Sequence, residues 1–163
     1  MTSERPSGAV HQDRTPLEVP EDLLIAPGFG ARRLYQAYLA AWIRHVDATL
    51  TGPQYAVLVA IHAYPESDQT SLAEVVALDT STMADVCRRL ERRGLIARTE
   101  SPHDARRKLL SLKPAGSEVL CEIRRRAHQL DRALVDISFE PAQGLAGWLN
   151  DLAAHWERVA TGD

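Results

Sequence analysis

The chain has only two cysteines, Cys87 and Cys121, far apart and in no CxxC pair. That excludes a disulfide framework and leaves free thiols in a reducing compartment as the expectation. Long apolar runs are also missing. No stretch reaches the ~18–20 residues that span a bilayer. Residues 1–20, polar and proline-bearing, lack the apolar centre of a secretory leader. The expected location is cytoplasmic, with no membrane partner. Six histidines (His11, His45, His62, His103, His128 and His155) are scattered without ligand spacing, so neither a metal nor another cofactor is implied. A glycine-rich phosphate loop, GxSxG and HExxH are all absent, and no catalytic residue is assigned. Nor is there an excess of positive charge. The net charge is −3, which excludes a basic coat for nucleic acid. Any surface for a polyanion must be local, so charge has to be read segment by segment.

What is present is enough for one domain with an added helical element. The 163 residues are 45% apolar and 25% charged, which supports a real core and argues against disorder. Residues 1–20 show no periodicity and read as a mobile arm. From Pro27-Gly28 onward Leu34, Tyr38, Ala41, Trp42 and His45 recur at three and four, predicting a helix that ends near Thr49. Thr51 is placed to cap a second helix starting at Pro53 and running through Tyr55, Leu58, Val59 and His62. Residues 65–68 break it. Two short helices follow, over about 71–77 and 81–93, the second closed by Gly94. Asp79-Thr80-Ser81-Thr82 between them supplies cap candidates. Residues 95–99 and 107–112 read as strands around a loop.

From Pro114 a long helix resumes. Leu120, Ile123, Ala127, Leu130, Leu134 and Ile137 form a narrow heptad-like stripe. Glu140-Pro141 breaks it, and Leu145, Leu149, Leu152, Trp156 and Val159 form a second stripe. The two stripes cover each other, or they join the helices of a second subunit.

Helix, tight turn, helix, strand, loop, strand is the order of a winged helix-turn-helix. Its second helix has to bury one face and offer the other to a groove. Met83, Val86, Cys87 and Leu90 fall on one face; Ser81, Thr82, Ala84, Asp85 and Arg88 fall on the other. Small hydroxyls at the helix start suit close approach to phosphates, and the helix dipole is positive there. Arg88 can reach a phosphate or the O6/N7 edge of guanine. Asp85 is out of place on such a face: it accepts from a cytosine amino group or pairs with Arg88 or Arg89. Over 81–113, nine basic residues stand against four acids, a local +5 in a chain of −3. A charge run alone is usually a solvated face. Here it coincides with the reading helix and the wing, which points to duplex DNA.

These segments resemble the MarR family of bacterial regulators. The resemblance rests on Leu72-Ala73-Glu74, on Ser81-Thr82-Met83 through Arg89-Leu90-Glu91-Arg92-Arg93-Gly94-Leu95-Ile96, on Asp104-Ala105-Arg106, and on Leu112-Lys113-Pro114-Ala115-Gly116. It covers residues 27–160. It implies a mainly α fold with a small β-wing, a winged helix-turn-helix flanked by N- and C-terminal dimerisation helices. The corresponding division is 1–20 (arm), 21–50 (N-terminal dimerisation helix), 51–113 (DNA-binding lobe) and 114–163 (C-terminal dimerisation helices). It also implies a homodimer on a pseudo-palindromic operator, acting as a transcriptional regulator, most simply a repressor. By the resemblance Arg106 is the wing-tip arginine for the minor groove, and Asp104 pairs with Arg89 to fix the wing. Thr80, Ser81, Thr82, Asp85, Arg88, Arg89, Asp104, Arg106 and Arg107 make up the expected DNA-binding set. Lys113 departs from the family's usual Thr.

Similar regulators bind a small effector, often a phenolic or aromatic acid, between the dimerisation helices and the DNA-binding lobe. Arg33, Tyr38, Trp42, His45, Tyr55 and His62 are the candidates here, with Arg32 beside Arg33. The segment from Pro27-Gly28-Phe29 to Gln36 resembles the branch that controls aromatic catabolism. An aromatic stripe at helical spacing is, however, more often core. Cys87, on the buried face of the second short helix, argues against thiol sensing. Two other readings compete: a constitutive DNA binder without an effector, and an enzyme that uses the winged helix for dimerisation.

Overall fold

The computed structural model describes residues 17–102, 104, 106–135 and 142–161. Most of the expected N-terminal arm, Ile137 and the Glu140-Pro141 break lie outside the described residues. The chain divides between Gln36 and Ala37 into two units. The first carries α1 (Glu21–Leu24), a single turn that the periodicity does not reveal, and the start of α2 (Pro27–His45).

The second unit opens with the rest of α2. This helix ends at His45 and not near Thr49, and the cause is local. The Asp47 carboxylate accepts from the Thr49 N–H at 2.5 Å, the Thr49 hydroxyl at 2.8 Å and the Leu50 N–H at 2.6 Å. Such a side chain offers the backbone an alternative to the next helical turn. Helix α3 (Gly52–Ala63) starts where expected, on a capping box between Thr51 and Gln54 with Pro53 in its first turn.

The stretch expected only to break α3 contains a strand. Glu66 takes φ +61°, its N–H donates to Leu110 O at 2.9 Å, and β1 (Ser67–Asp68) follows. Two residues are too few to show alternation. Then come α4 (Gln69–Val75), α5 (Thr80–Arg92), β2 (Ile96–Glu100) and β3 (Lys108–Leu112). The sheet is antiparallel in the order β1-β3-β2, with Ser67 opposite Leu110 and Arg98 opposite the same residue from the other side. Gly94, at φ +71°, ends α5 as a left-handed C′ residue.

Helices α6 (Pro114–Val135) and α7 (Ala142–Thr161) complete the chain. Leu120, Ile123, Ala127 and Leu130 of α6 are buried in the same core as Leu58 and Ile61 of α3, Leu72 of α4, Leu90 of α5 and Leu110 of β3. These four of the six stripe residues are therefore covered within the chain, chiefly by α3. Gly116 is required for the junction. A methyl group there would overlap the carbonyl of Leu95, the acceptor for the Lys113 N–H at 3.0 Å. The start of α6 is thus bound to the base of the wing.

Candidate nucleic-acid interface

Helix α5 carries the two faces its sequence requires. Met83, Val86, Cys87 and Leu90 are all buried, and Ser81, Asp85, Arg88 and Arg89 are exposed. Burying four such side chains contributes on the order of 2 kcal/mol each, which fixes the rotation of the helix and aims the polar face outward. Asp79 caps the helix. Its carboxylate accepts from the Thr82 N–H at 2.9 Å and from the hydroxyls of Ser81 and Thr82 at 2.5 Å. The Ser81 hydroxyl, then those of Thr82, hold the Asp79 carboxyl well below the usual carboxylate range. The two hydroxyl protons are therefore committed inward, and the outward lone pairs act as acceptors. Thr80 is exposed as the first residue of the helix.

Asp85 pairs with Arg88 one turn on, both more than half exposed. Of the two sequence alternatives, the structure forms this ion pair. Such a pair contributes only a few tenths of a kcal/mol, so a phosphate can compete for Arg88. At the other end of α5, Arg93 donates to Thr49 O at 2.9 Å. Arg126 of α6 donates to Val46 O at 3.1 Å, and the Trp42 indole N–H to Leu50 O at 2.6 Å. The α2–α3 connection is thus held from three elements, one of them the reading helix.

The wing is fixed differently from the expectation. Among the described residues no ion pair joins Asp104 to Arg89. The Asp104 side chain instead turns back on the wing tip and accepts from the Arg106 N–H at 3.0 Å. The tie to the body runs through Arg107, whose guanidinium pairs with Asp68, the buried cap of α4. Asp68 also accepts from the Thr70 and Ser71 N–H groups at 3.1 Å and the Ser71 hydroxyl at 2.8 Å. The Ser71 hydroxyl, outweighing desolvation, and then the Ser71 N–H and Arg107 bring the Asp68 carboxyl down to about 2. Lys108 pairs with Glu100 across the wing at 2.6 Å. Arg106 is exposed and, among the described residues, makes no ion pair. Sequence reasoning missed Asp68: only its position before α4 marked it as a cap, and nothing local linked it to Arg107.

The effector candidates separate into two groups. Tyr38, Trp42 and Tyr55 come together, with ring centroids 5.9 Å apart for Tyr38–Trp42 and 5.3 Å for Trp42–Tyr55. Trp42 is 2% exposed and its N–H is already used, so it is a core residue. Tyr38 and Tyr55 are half-buried beside it. His45 and His62 are exposed; Arg33, also exposed, belongs to the first unit. Among the described residues no cluster could hold a metal ion. None of the described helices is long and apolar enough to cross a membrane.

Comparison with known proteins agrees with this geometry. The model of the MarR family matches residues 50–108, from the start of α3 to the wing. The PcaV transcriptional regulator of Streptomyces coelicolor, solved with its natural ligand, is 37% identical. The match covers 85% of this chain and 98% of that one with a TM-score of 0.78. The chain belongs to the MarR family. Its relatives are transcriptional regulators, not enzymes. HosA of Escherichia coli is 38% identical over 89 residues, 55% of this chain and 65% of HosA, so the chain spans about two thirds of that relative. The structure of BpsR from Bordetella bronchiseptica, whose DNA binding is regulated by 6-hydroxynicotinic acid, is 27% identical. It covers 77% of this chain and 97% of that one with a TM-score of 0.69. The mainly helical fold with its small antiparallel wing is that of the family.

Proposed function

We propose that this MarR-family protein is a transcriptional regulator that binds duplex DNA as a homodimer and is released by a small aromatic acid. The observation that carries the DNA reading is the division of α5 into a fully buried apolar face and an exposed face of Ser81, Asp85 and Arg88, with the exposed Arg106 on the adjoining wing. In this reading α5 enters the major groove and Arg106 the flanking minor groove, whose negative potential attracts it. Arg89 contacts phosphate, and Arg107 holds the wing.

Dimerisation is supported by the apolar side chains that the second unit leaves exposed, among them Ile43, Trp148, Trp156 and Val159. A second copy would cover them and set the spacing of two reading helices on a pseudo-palindromic site. The effector reading is supported by the Tyr38–Trp42–Tyr55 cluster and by the relatives' ligands. The cluster adjoins the α2–α3 connection that Arg93 of the reading helix also holds. A ligand weakens DNA binding by as much as it prefers the non-binding conformation, and no more.

The test is the affinity for the DNA upstream of the protein's own gene over a salt series, wild type against Arg106→Ala. The slope of log K against log salt should fall by about 0.9 for each phosphate that the variant no longer neutralises. An unchanged slope and affinity would remove the wing from the DNA-binding mechanism.

A further inference from the structure

The α2–α3 connection is short, and side chains from four places hold it. Asp47, within it, accepts from the N–H and hydroxyl of Thr49 and from the Leu50 N–H. The Trp42 indole N–H of α2 donates to Leu50 O at 2.6 Å, and Arg126 of α6 donates to Val46 O at 3.1 Å. The reading helix contributes Arg93, which donates to Thr49 O at 2.9 Å across 44 positions of sequence. Trp42 in turn packs against Tyr38 and Tyr55. Two successive carbonyls thus take one bond from the reading helix and one from the aromatic cluster.

Arg93 stands at the anchored end of α5. There Gly94 closes the helix, and the Leu95 carbonyl beyond it takes the Lys113 N–H at 3.0 Å and abuts Gly116. The other end joins α4 through Ala77 at φ +53°, a strained conformation for alanine, so that end yields more readily. Ser81 lies about 18 Å along the helix axis from Arg93, at ~1.5 Å per residue. A tilt of α5 about its anchored end is therefore small at Arg93 and large at Ser81. The core also joins α5 to Trp42, but apolar contacts are non-directional. A hydrogen bond weakens steeply as its angle closes, so the Arg93 bond distinguishes one tilt from another.

We propose that Arg93 is the positioning residue that couples the tilt of α5 to the Tyr38–Trp42–Tyr55 cluster, through Thr49 and Leu50. The inference rests on the DNA-binding reading above and does not depend on which effector is bound. Whatever displaces the connection at Leu50 loosens the hold on α5, and whatever tilts α5 pulls on the connection. Couplings between sites are typically about 5- to 150-fold in affinity, a range that one charge-assisted hydrogen bond can supply. Such coupling is reciprocal. DNA seated on α5 therefore acts back on Trp42, and the test needs no effector.

The experiment follows the Trp42 indole N–H resonance of the full-length protein. A duplex that the protein selects from a random pool is added to saturation. The chain has three tryptophans, and Trp148→Phe and Trp156→Phe assign the other two. In wild type the Trp42 signal should shift and saturate together with DNA binding. In Arg93→Gln, and in Arg93→Met, which keeps an apolar stem, the duplex should still bind and the shift should fall by more than half. Arg93 is exposed, and two variants read in parallel keep the comparison if one does not fold. A wild-type signal unmoved at DNA saturation overturns the coupling and leaves the DNA-binding reading standing. A shift of wild-type size in either variant does the same. Loss of duplex binding in both variants would make Arg93 a DNA contact and overturn its assignment as a coupling residue. If the wild type selects no duplex, both readings fall.

Discussion

Arg107 of the wing is paired with Asp68, the residue that caps α4, across 39 positions of sequence. One buried carboxylate therefore does two jobs. It satisfies the first N–H groups of α4 and ties down the strand that presents Arg106. The wing gains its orientation from the helix-turn-helix itself.

This relationship has a pH signature. The Asp68 carboxyl lies at about 2 in the folded chain, against an ordinary 3.8. A depressed carboxylate stabilises the fold fully above its unfolded value and loses that contribution as pH falls through its folded value. The shift corresponds to stability on the order of 2 kcal/mol. Asp68→Asn should lower the unfolding midpoint at pH 7, and the gap to wild type should close between about pH 4 and pH 2. A gap independent of pH would show that packing, not ionisation, is what Asp68 supplies.

Asp85 restrains Arg88 on the exposed side of α5, the side we propose meets DNA. Asp85→Asn frees the guanidinium and removes a negative charge from that face. Binding to unrelated duplex should tighten, and the salt slope should steepen by up to about 0.9. Loss of affinity confined to the specific site would show instead that Asp85 accepts from a base.

At the start of α6, Gly116 faces the Leu95 carbonyl with no room for a Cβ. Gly116→Ala has to push the helix off the base of the wing, because the obstacle is backbone. We expect a loss of about 1–3 kcal/mol, as for other overpacked sites. A thermal melt measures it, and a melting temperature equal to wild type would contradict the close approach.

The two thiols should behave unlike each other. Cys87 is fully buried, and burial pushes its thiol up to about 11; Cys121 is exposed. A thiol reagent at pH 8 should label one cysteine in the native protein and both after denaturation. Two labelled at the native rate would contradict the buried face of α5.

The elements that could be read from sequence were those with a period or a cap. The faces of α5, its end at Gly94 and the capping box at Thr51 all follow from short-range rules. Where the sequence reading fell short, the cause was either brevity or distance. Strand β1 is two residues long, and α2 ends early because one Asp47 side chain competes with the helix. The Asp68–Arg107 pair and the close approach of Gly116 to Leu95 depend on tertiary placement. Trp42, a ligand candidate from its sequence, is claimed by the core.

The most direct test of the central claim is binding to the intergenic DNA beside the protein's own gene, at two salt concentrations, with and without a panel of aromatic acids. We expect tight, salt-sensitive binding that at least one of these acids weakens. Binding no tighter than to an unrelated duplex, at either salt concentration, would contradict the account.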